Sequence, residues 1–179
     1  NMYWNVYSRN FTREQEIEKA GLEVKVERRY YLLEPSKEEL QLAGKDGRVV
    51  EAKGDKQLRV QLDEEVEVPS GRMIEVELLI ESKNDYEYLL VEDKKPAGLE
   101  PVDSQSGYFY SSGIGVYREL REKHVGLLIE RLARGRFSVR YQMRSESPGA
   151  FTALPATIEG MYAPELVGNS RDFDLKVID

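Results

Sequence analysis

Cysteine is absent from the 179 residues. That excludes disulfide staples, thiolate nucleophiles and the usual zinc sites within this chain. Histidine is nearly as scarce, with His124 standing alone. A Ser-His-Asp triad would have to use it, and no Gly-x-Ser-x-Gly elbow accompanies it. A lone histidine beside a strand is far more often a surface or packing residue than a catalyst. Long apolar runs are missing too, since no stretch approaches the roughly 20 residues a membrane helix needs. No secretion signal opens the chain at Asn1, so it reads as a piece of something longer. Positive charge is in deficit: the formal net charge is -7, and the pI is near 5.0. Such a balance repels nucleic-acid phosphates, and no nucleic-acid role is expected.

Other catalytic signals are equally thin. Carboxylates cluster in "DEEVE" (63–67) and "EPSKEEL" (34–40). A glycosidase needs two of them across a cleft, whereas charge-rich hairpins are usually solvated faces. "SGIG" (112–115) lacks the spacing of a phosphate cradle and no amphipathic helix follows it. "DEEVEV" lacks the alternating Asp/Asn of a calcium loop, so no metal or other cofactor is expected. The arginines of "VYRELREK" and "ERLARGR" read as polar outer faces of strands. "NFT" (10–12) is a formal glycosylation sequon. An acidic module without a catalytic constellation binds or shields something, or holds a larger chain together.

What the sequence does have is period-two alternation. Leu22, Val24 and Val26 face one way, continued by Tyr30 and Leu32, with Glu23, Lys25, Glu27 and Arg29 opposite. Ile74, Val76, Leu78 and Ile80 form a second stripe. Phe137, Val139, Tyr141 and Met143 form a third, against Ser138, Arg140, Gln142 and Arg144, and Phe173, Leu175 and Val177 close the chain. Half-buried strands give this pattern and a helix cannot. "KGDK" (53–56) reads as a tight turn joining Val49 and Val50 to Leu58, Val60 and Leu62. "VPSG" (68–71), "RGR" (134–136) and "SPGA" (147–150) are further turns. The expectation is an all-β antiparallel sandwich.

Two stretches break the alternation. "TREQEIEKAG" (12–21) suits a short helix or an extended linker. "KKPAGLEPVDSQSGYFYSSGIG" (94–115) reads as a long loop crossing between sheets, packed by Tyr108, Phe109 and Tyr110. Residues 1–11 alternate and read as a strand belonging to a preceding domain.

"KPAGLEPVD" (95–103) opens a run of motifs in the second half. After it come Leu132, Gly135, Phe137, Tyr141 and Arg144 in "L-x-x-G-x-F-x-x-x-Y-x-x-R", then "SPGAFTALP" (147–155) and "MYAPE" (161–165). In this order they resemble the C-terminal macroglobulin-like domain of bacterial alpha-2-macroglobulins. Locally the motifs make sense: Gly135 permits a tight turn between "LLIERLA" and "FSVRYQM", and Pro155 suits a strand end. The resemblance implies residues 1–20 as a strand and linker from the preceding domain and 21–179 as a C-terminal sandwich, with 34–62 a charged hairpin and candidate insertion.

The family's function follows as an expectation. Its members are broad-spectrum protease traps of the bacterial periplasm, commonly lipid-anchored to the inner membrane. A protease cuts a bait region, and a buried Cys-Gln thioester becomes open to attack. This cysteine-free chain cannot hold that bond. The resemblance implies a non-enzymatic domain that packs on the thioester domain and on neighbouring macroglobulin-like domains, and meets target proteases through the parent. A periplasmic penicillin-binding-type peptidoglycan synthase is a further candidate partner. The family's shielding pair falls on Met161 and Tyr162. Read from pattern alone, Tyr162 could instead close the core of its own sandwich, or pin the turn before "DFDLKV". A structural module of a thioester-less relative, or a glycan-binding sandwich using Tyr108, Phe109 and Tyr110, are the alternatives.

Overall fold

The computed structural model describes residues 17–35, 40–43, 49–52, 57–63, 66–103 and 105–179. The first strands are β1 (Ala20–Gly21), β2 (Val24–Pro35), β3 (Leu40–Ala43), β4 (Val49–Ala52), β5 (Gln57–Gln61), β6 (Glu67–Pro69), β7 (Met73–Ser82) and β8 (Tyr86–Lys94). They are followed by β9 (Leu99–Pro101), β10 (Gly107–Ser111), β11 (Ile114–Leu120), β12 (His124–Leu132) and β13 (Gly135–Ser145). The chain ends with β14 (Gly149–Ala153), β15 (Thr157–Gly160), β16 (Ala163–Asn169) and β17 (Phe173–Ile178). Among the described residues there is no helix.

A seven-stranded sheet, β1-β16-β15-β8-β12-β11-β10, packs on a five-stranded sheet, β5-β2-β7-β13-β9. A three-stranded sheet, β14-β17-β6, closes one end, and within it β6 runs parallel to β17. The core lies between the sheets. Ile74, Val76, Leu78 and Ile80 of β7 are buried, as are Val139, Tyr141 and Met143 of β13. They meet Leu89, Val91, Val116, Val125, Leu127 and Ile129 of the facing sheet. Each such side chain removed from water contributes about 1.5–3 kcal/mol.

Two of the familiar motifs interlock in this architecture. The Phe151 ring lies against Gly98, where an added Cβ would sit 2.3 Å from it, and against Gly149, where the gap would be 2.8 Å. "PAGLEP" and "SPGAF" therefore meet through one aromatic ring and two bare backbones.

Several expectations need correction. Of the two readings of 12–21, a short helix or an extended linker, the described residues 17–21 form no helix, and Ala20–Gly21 pairs with Gly168 and Asn169. The strand reading of 1–11 lies outside the described residues, as does the turn at 53–56. The partners assigned to that turn do not pair: β4 pairs with β3, and β5 pairs with Tyr31–Pro35 of β2. The sequence holds a second turn signal, Gly-Lys-Asp-Gly at 44–47, between the strands that do pair. The turn before Gly135 is not a hairpin either. It carries the chain from β12 in one sheet to β13 in the other, beside the corner that leads from β7 to β8. Asp85 Oδ1 accepts from Arg134 N at 2.7 Å and ties those corners together.

The stretch at 94–115 does cross between the sheets, from β9 to β10, but it contains the strands β9 and β10 and the start of β11. β10 and β11 form a hairpin closed by Ser112 and Gly113, both at positive φ. Leu22 precedes β2 and is exposed, so the inward stripe begins at Val24.

Candidate functional site

Met161 and Tyr162 occupy the two-residue tip between β15 and β16, where Gly160 pairs with Ala163. The closure is tight. A Cβ on Gly160 would lie 2.9 Å from Ala163 O, so a side chain there would open the turn. Beyond the tip β16 bulges, because Glu159 pairs with Val167. Leu166 packs into the core from this bulge and anchors the tip.

The tip is held from β8. Met161 N donates to Tyr88 O at 2.8 Å, and the Tyr162 ring stands edge-on to the Tyr88 ring with centroids 5.5 Å apart. Tyr88 has φ of 56°, a left-handed conformation costly for an aromatic residue. Such conformations persist where surrounding contacts impose them, and they gather at functional sites. Met161 is 47% exposed and Tyr162 80% exposed. Neither enters the core of its own sandwich, so the packing alternative for Tyr162 fails on geometry.

The apolar surface extends beyond the tip. A groove of about 770 Å³ is lined by Tyr88, Tyr108, Tyr110, Tyr117, Leu128 and Met161 among others. Tyr108 and Tyr110 are 85% and 86% exposed on the edge strand β10. Phe109 points the other way and packs on the core, beneath the guanidinium of Arg118 at 5.6 Å. The aromatic triplet is therefore split by strand alternation and does not form one platform. Tyr88 was missed by sequence reasoning. The available signal was "YEYLL", in which a large aromatic precedes Leu89 and Val91 on the wrong parity for the core.

The opposite outward face is unlike this one. On β7, Glu77 accepts from Ser138 Oγ at 2.7 Å and from Arg140 Nε at 2.7 Å, and Arg59 Nη2 lies 3.3 Å away. Burial alone would raise the Glu77 pKa. The hydrogen bonds from Ser138, Arg140 and Tyr31 outweigh it and bring it down to about 2. Arg59 also reaches Glu75 at 2.7 Å, and Arg136 reaches Glu81 at 3.2 Å.

A polar cluster crosses the core. Arg28 Nη1 donates to Asp93 Oδ1 at 2.7 Å and to Leu154 O at 2.8 Å, while Nη2 donates to Ala153 O at 2.8 Å. Tyr141 donates to the other Asp93 oxygen. Both charged side chains are 1% exposed. Burial works to lower the Arg28 pKa, but neighbouring Tyr30 and Asp93 prevail and raise it. Burial raises the Tyr141 pKa, and the Asp93 charge adds to that. The cluster clamps the two sheets together through the Arg28 Nη atoms, while its Nε is buried without a hydrogen-bond partner among the described residues.

Catalytic candidates stay dispersed. His124 Nε2 lies 3.7 Å from Glu92 and is half-buried. Glu67 is engaged by Lys176 at 2.6 Å. Among the described residues no three His, Asp or Glu side chains gather as metal ligands. No helix there is long and apolar enough to cross a membrane.

A two-sheet antiparallel sandwich of this topology is a macroglobulin-like domain. More closely, the chain belongs to the family described as the bacterial alpha-2-macroglobulin MG10 domain, whose model matches residues 24–165. An alpha-2-macroglobulin homolog of Nostoc is 26% identical over 126 residues, 65% of this chain and 6% of its own length. The crystal structure of a mutant Salmonella alpha-2-macroglobulin superposes with a TM-score of 0.63 at 19% identity, covering 91% of this chain and 10% of that one. Trypsin-activated alpha-2-macroglobulin from Escherichia coli gives 0.62 at 16% identity, covering 91% and 11%. At those identities the structural likeness is one of fold. The chain spans about a tenth of the solved relatives and less of the Nostoc homolog.

Proposed function

We propose that this chain is a non-enzymatic domain of a bacterial protease inhibitor of the alpha-2-macroglobulin type. In this reading it packs on the thioester domain of its parent, and Met161 and Tyr162 cover the thioester until a protease cuts elsewhere. The observation that carries the proposal is the exposed tip, with Met161 bonded to Tyr88 O and Tyr162 stacked edge-on against its ring. An aromatic and a thioether presented this way are ready to be buried by another surface.

The chemistry fits. Water hydrolyses a thioester and amines attack it, so an apolar cover excludes both. Burying each side chain contributes about 1.5–3 kcal/mol, enough to hold a contact shut and little enough to release it. The Tyr162 hydroxyl can donate a hydrogen bond at the covered site. Support comes from the relatives, since the Salmonella protein has a crystal structure after reaction with methylamine and the Escherichia coli protein a solved structure after activation by porcine elastase.

The partners in this reading are the thioester domain and adjoining macroglobulin-like domains, with the sandwich beginning near residue 20. Target proteases are reached through the parent, outside the cytoplasm, either in the periplasm with an inner-membrane anchor or in secreted form at the cell surface. The peptidoglycan synthase is a partner on the family resemblance alone.

The test uses the parent protein with Tyr162 intact and with Tyr162→Ala, and follows thiol release on adding methylamine without protease. Faster release from the variant is expected. Equal release from two folded proteins would return Tyr162 to another role. Absence of any thiol would make the domain a scaffold in a thioester-less relative.

A further inference from the structure

The outward face of the seven-stranded sheet carries a row of register partners, Tyr108, Tyr117, Leu128 and Leu90, which ends at Glu159. Beside it, Tyr110, Glu130, Tyr88 and Met161 lie on the same side of the sheet. Strand parity adds Glu92 and Glu119 to this face. The cations are few. Lys94 and His124 sit together at one end, His124 near Glu92, and Arg131 pairs with Glu87 at 3.9 Å. Arg121 engages Glu119. Among the described residues Glu130 and Glu159 have no ion-pair partner.

Tyrosine faces edged by unpaired carboxylates have a definite chemical preference. A ring face attracts a cation, carboxylates hold it by charge, and an aliphatic stem lies along the groove. We propose that this face docks a protein partner through lysine or arginine side chains, received over Tyr108, Tyr110 and Tyr117 and against Glu130 and Glu159. Charge complementarity selects this occupant. A second copy would set acidic face against acidic face, and nucleic acid would meet the same repulsion. The Tyr108 and Tyr117 rings are inclined at 61°, so no flat platform for a sugar forms.

This surface goes beyond the shielding role. Met161 lines its edge and Glu159 stands on the strand that leads to the tip, but the rings that would receive cations, Tyr108, Tyr110 and Tyr117, lie on β10 and β11, away from the tip. The two readings can therefore fail separately.

The experiment measures binding of a labelled heptapeptide of alternating Lys and Thr to this chain by fluorescence anisotropy at low salt, with a Glu-Thr counterpart alongside. Saturable binding of the lysine peptide alone is expected. Tyr108→Ser with Tyr110→Ser should weaken it about tenfold, the loss of two cation–π contacts. Glu130→Gln with Glu159→Gln should weaken it similarly. Glu146→Gln with Asp179→Asn, the same charge removed elsewhere, should change it by no more than about twofold.

Equal weakening by that last pair would mean only long-range attraction to an acidic chain, and would overturn the proposal. So would no saturable binding, equal binding of the glutamate peptide, or an unchanged affinity in the tyrosine variant. Concentration-dependent dimerisation abolished by the tyrosine changes would give the face to a second copy and overturn it as well. Circular dichroism separates these outcomes from misfolding, and the near-complete exposure of Tyr108 and Tyr110 makes a folded variant the expected one.

Discussion

The two outward faces of the sandwich follow the same alternation and end in opposite states. On the five-stranded sheet the central strand presents Glu75, Glu77 and Glu81. Arg29 and Arg140 are the cross-strand partners of Glu77, and Lys25 and Arg136 those of Glu81. Each carboxylate meets a cation within the chain, so the charges of this face are balanced internally. On the seven-stranded sheet the same positions carry tyrosine, leucine and, at Glu130 and Glu159, carboxylates without an ion-pair partner among the described residues. That face leaves apolar area in water, and contiguous exposed patches of this kind mark contact surfaces. The difference lies in where the complement comes from, the chain itself on one side and another surface on the other.

If so, polar changes on the first side should cost stability and aromatic changes on the second should not. The largest effect is expected where the charged strand β2 turns a guanidinium inward. Arg28→Met removes the clamp and leaves Asp93 buried without its cation, a loss of about 3–5 kcal/mol. Urea denaturation measures it. Arg28→Met combined with Asp93→Leu should be more stable than Arg28→Met alone, because the isolated carboxylate carries much of the cost. A double variant no better than the single would place the loss in the contacts to Ala153 and Leu154 instead.

Glu77→Gln is the next step down. It weakens the bonds to Ser138 and Arg140 and should cost about 1–3 kcal/mol. A pH titration sharpens the point. The folded Glu77 pKa is held down at about 2 against an ordinary value of 4.5. The unfolded chain therefore takes up the proton first as pH falls. The stabilisation is fully present above the ordinary value, declines between 4.5 and about 2, and is gone below that. Glu77→Gln should flatten the stability profile in that window. An unchanged acid profile would show that other carboxylates carry the dependence.

Much of this fold was legible because its strands obey a local rule. Val76 and Leu78, or Val139 and Tyr141, needed only parity to be assigned inward. Arg28 was not legible, because an arginine on an apolar stripe reads as an interruption. Its justification, Asp93, lies 65 residues away on the facing sheet. "GYFYS" was read as loop for a related reason: both of its faces carry aromatics, so no alternation of polarity survives. Met161 and Tyr162 came from a resemblance between motifs. Pattern alone left their destination open, and exposure depends on long-range pairing such as Tyr88 with Met161. The pairing of β4 with β3 likewise could not be chosen from two competing turn signals.

The smallest expected effect is the most discriminating. Tyr162→Ala in this chain removes one edge-on ring contact and little buried area, since the residue is 80% exposed. Its stability should stay within about 0.5 kcal/mol of the original, as for ordinary surface changes. Tyr110→Ser should behave alike. Thermal melts followed by circular dichroism resolve a difference of that size from the losses at Arg28 and Glu77. A near-zero cost would mean that these large side chains are maintained for a surface other than their own core. A loss above 1.5 kcal/mol, beyond the roughly 0.5–1.5 of an aromatic pair, would make Tyr162 a structural anchor of the β15–β16 tip through Tyr88. The asymmetry between the two faces would then be one of appearance.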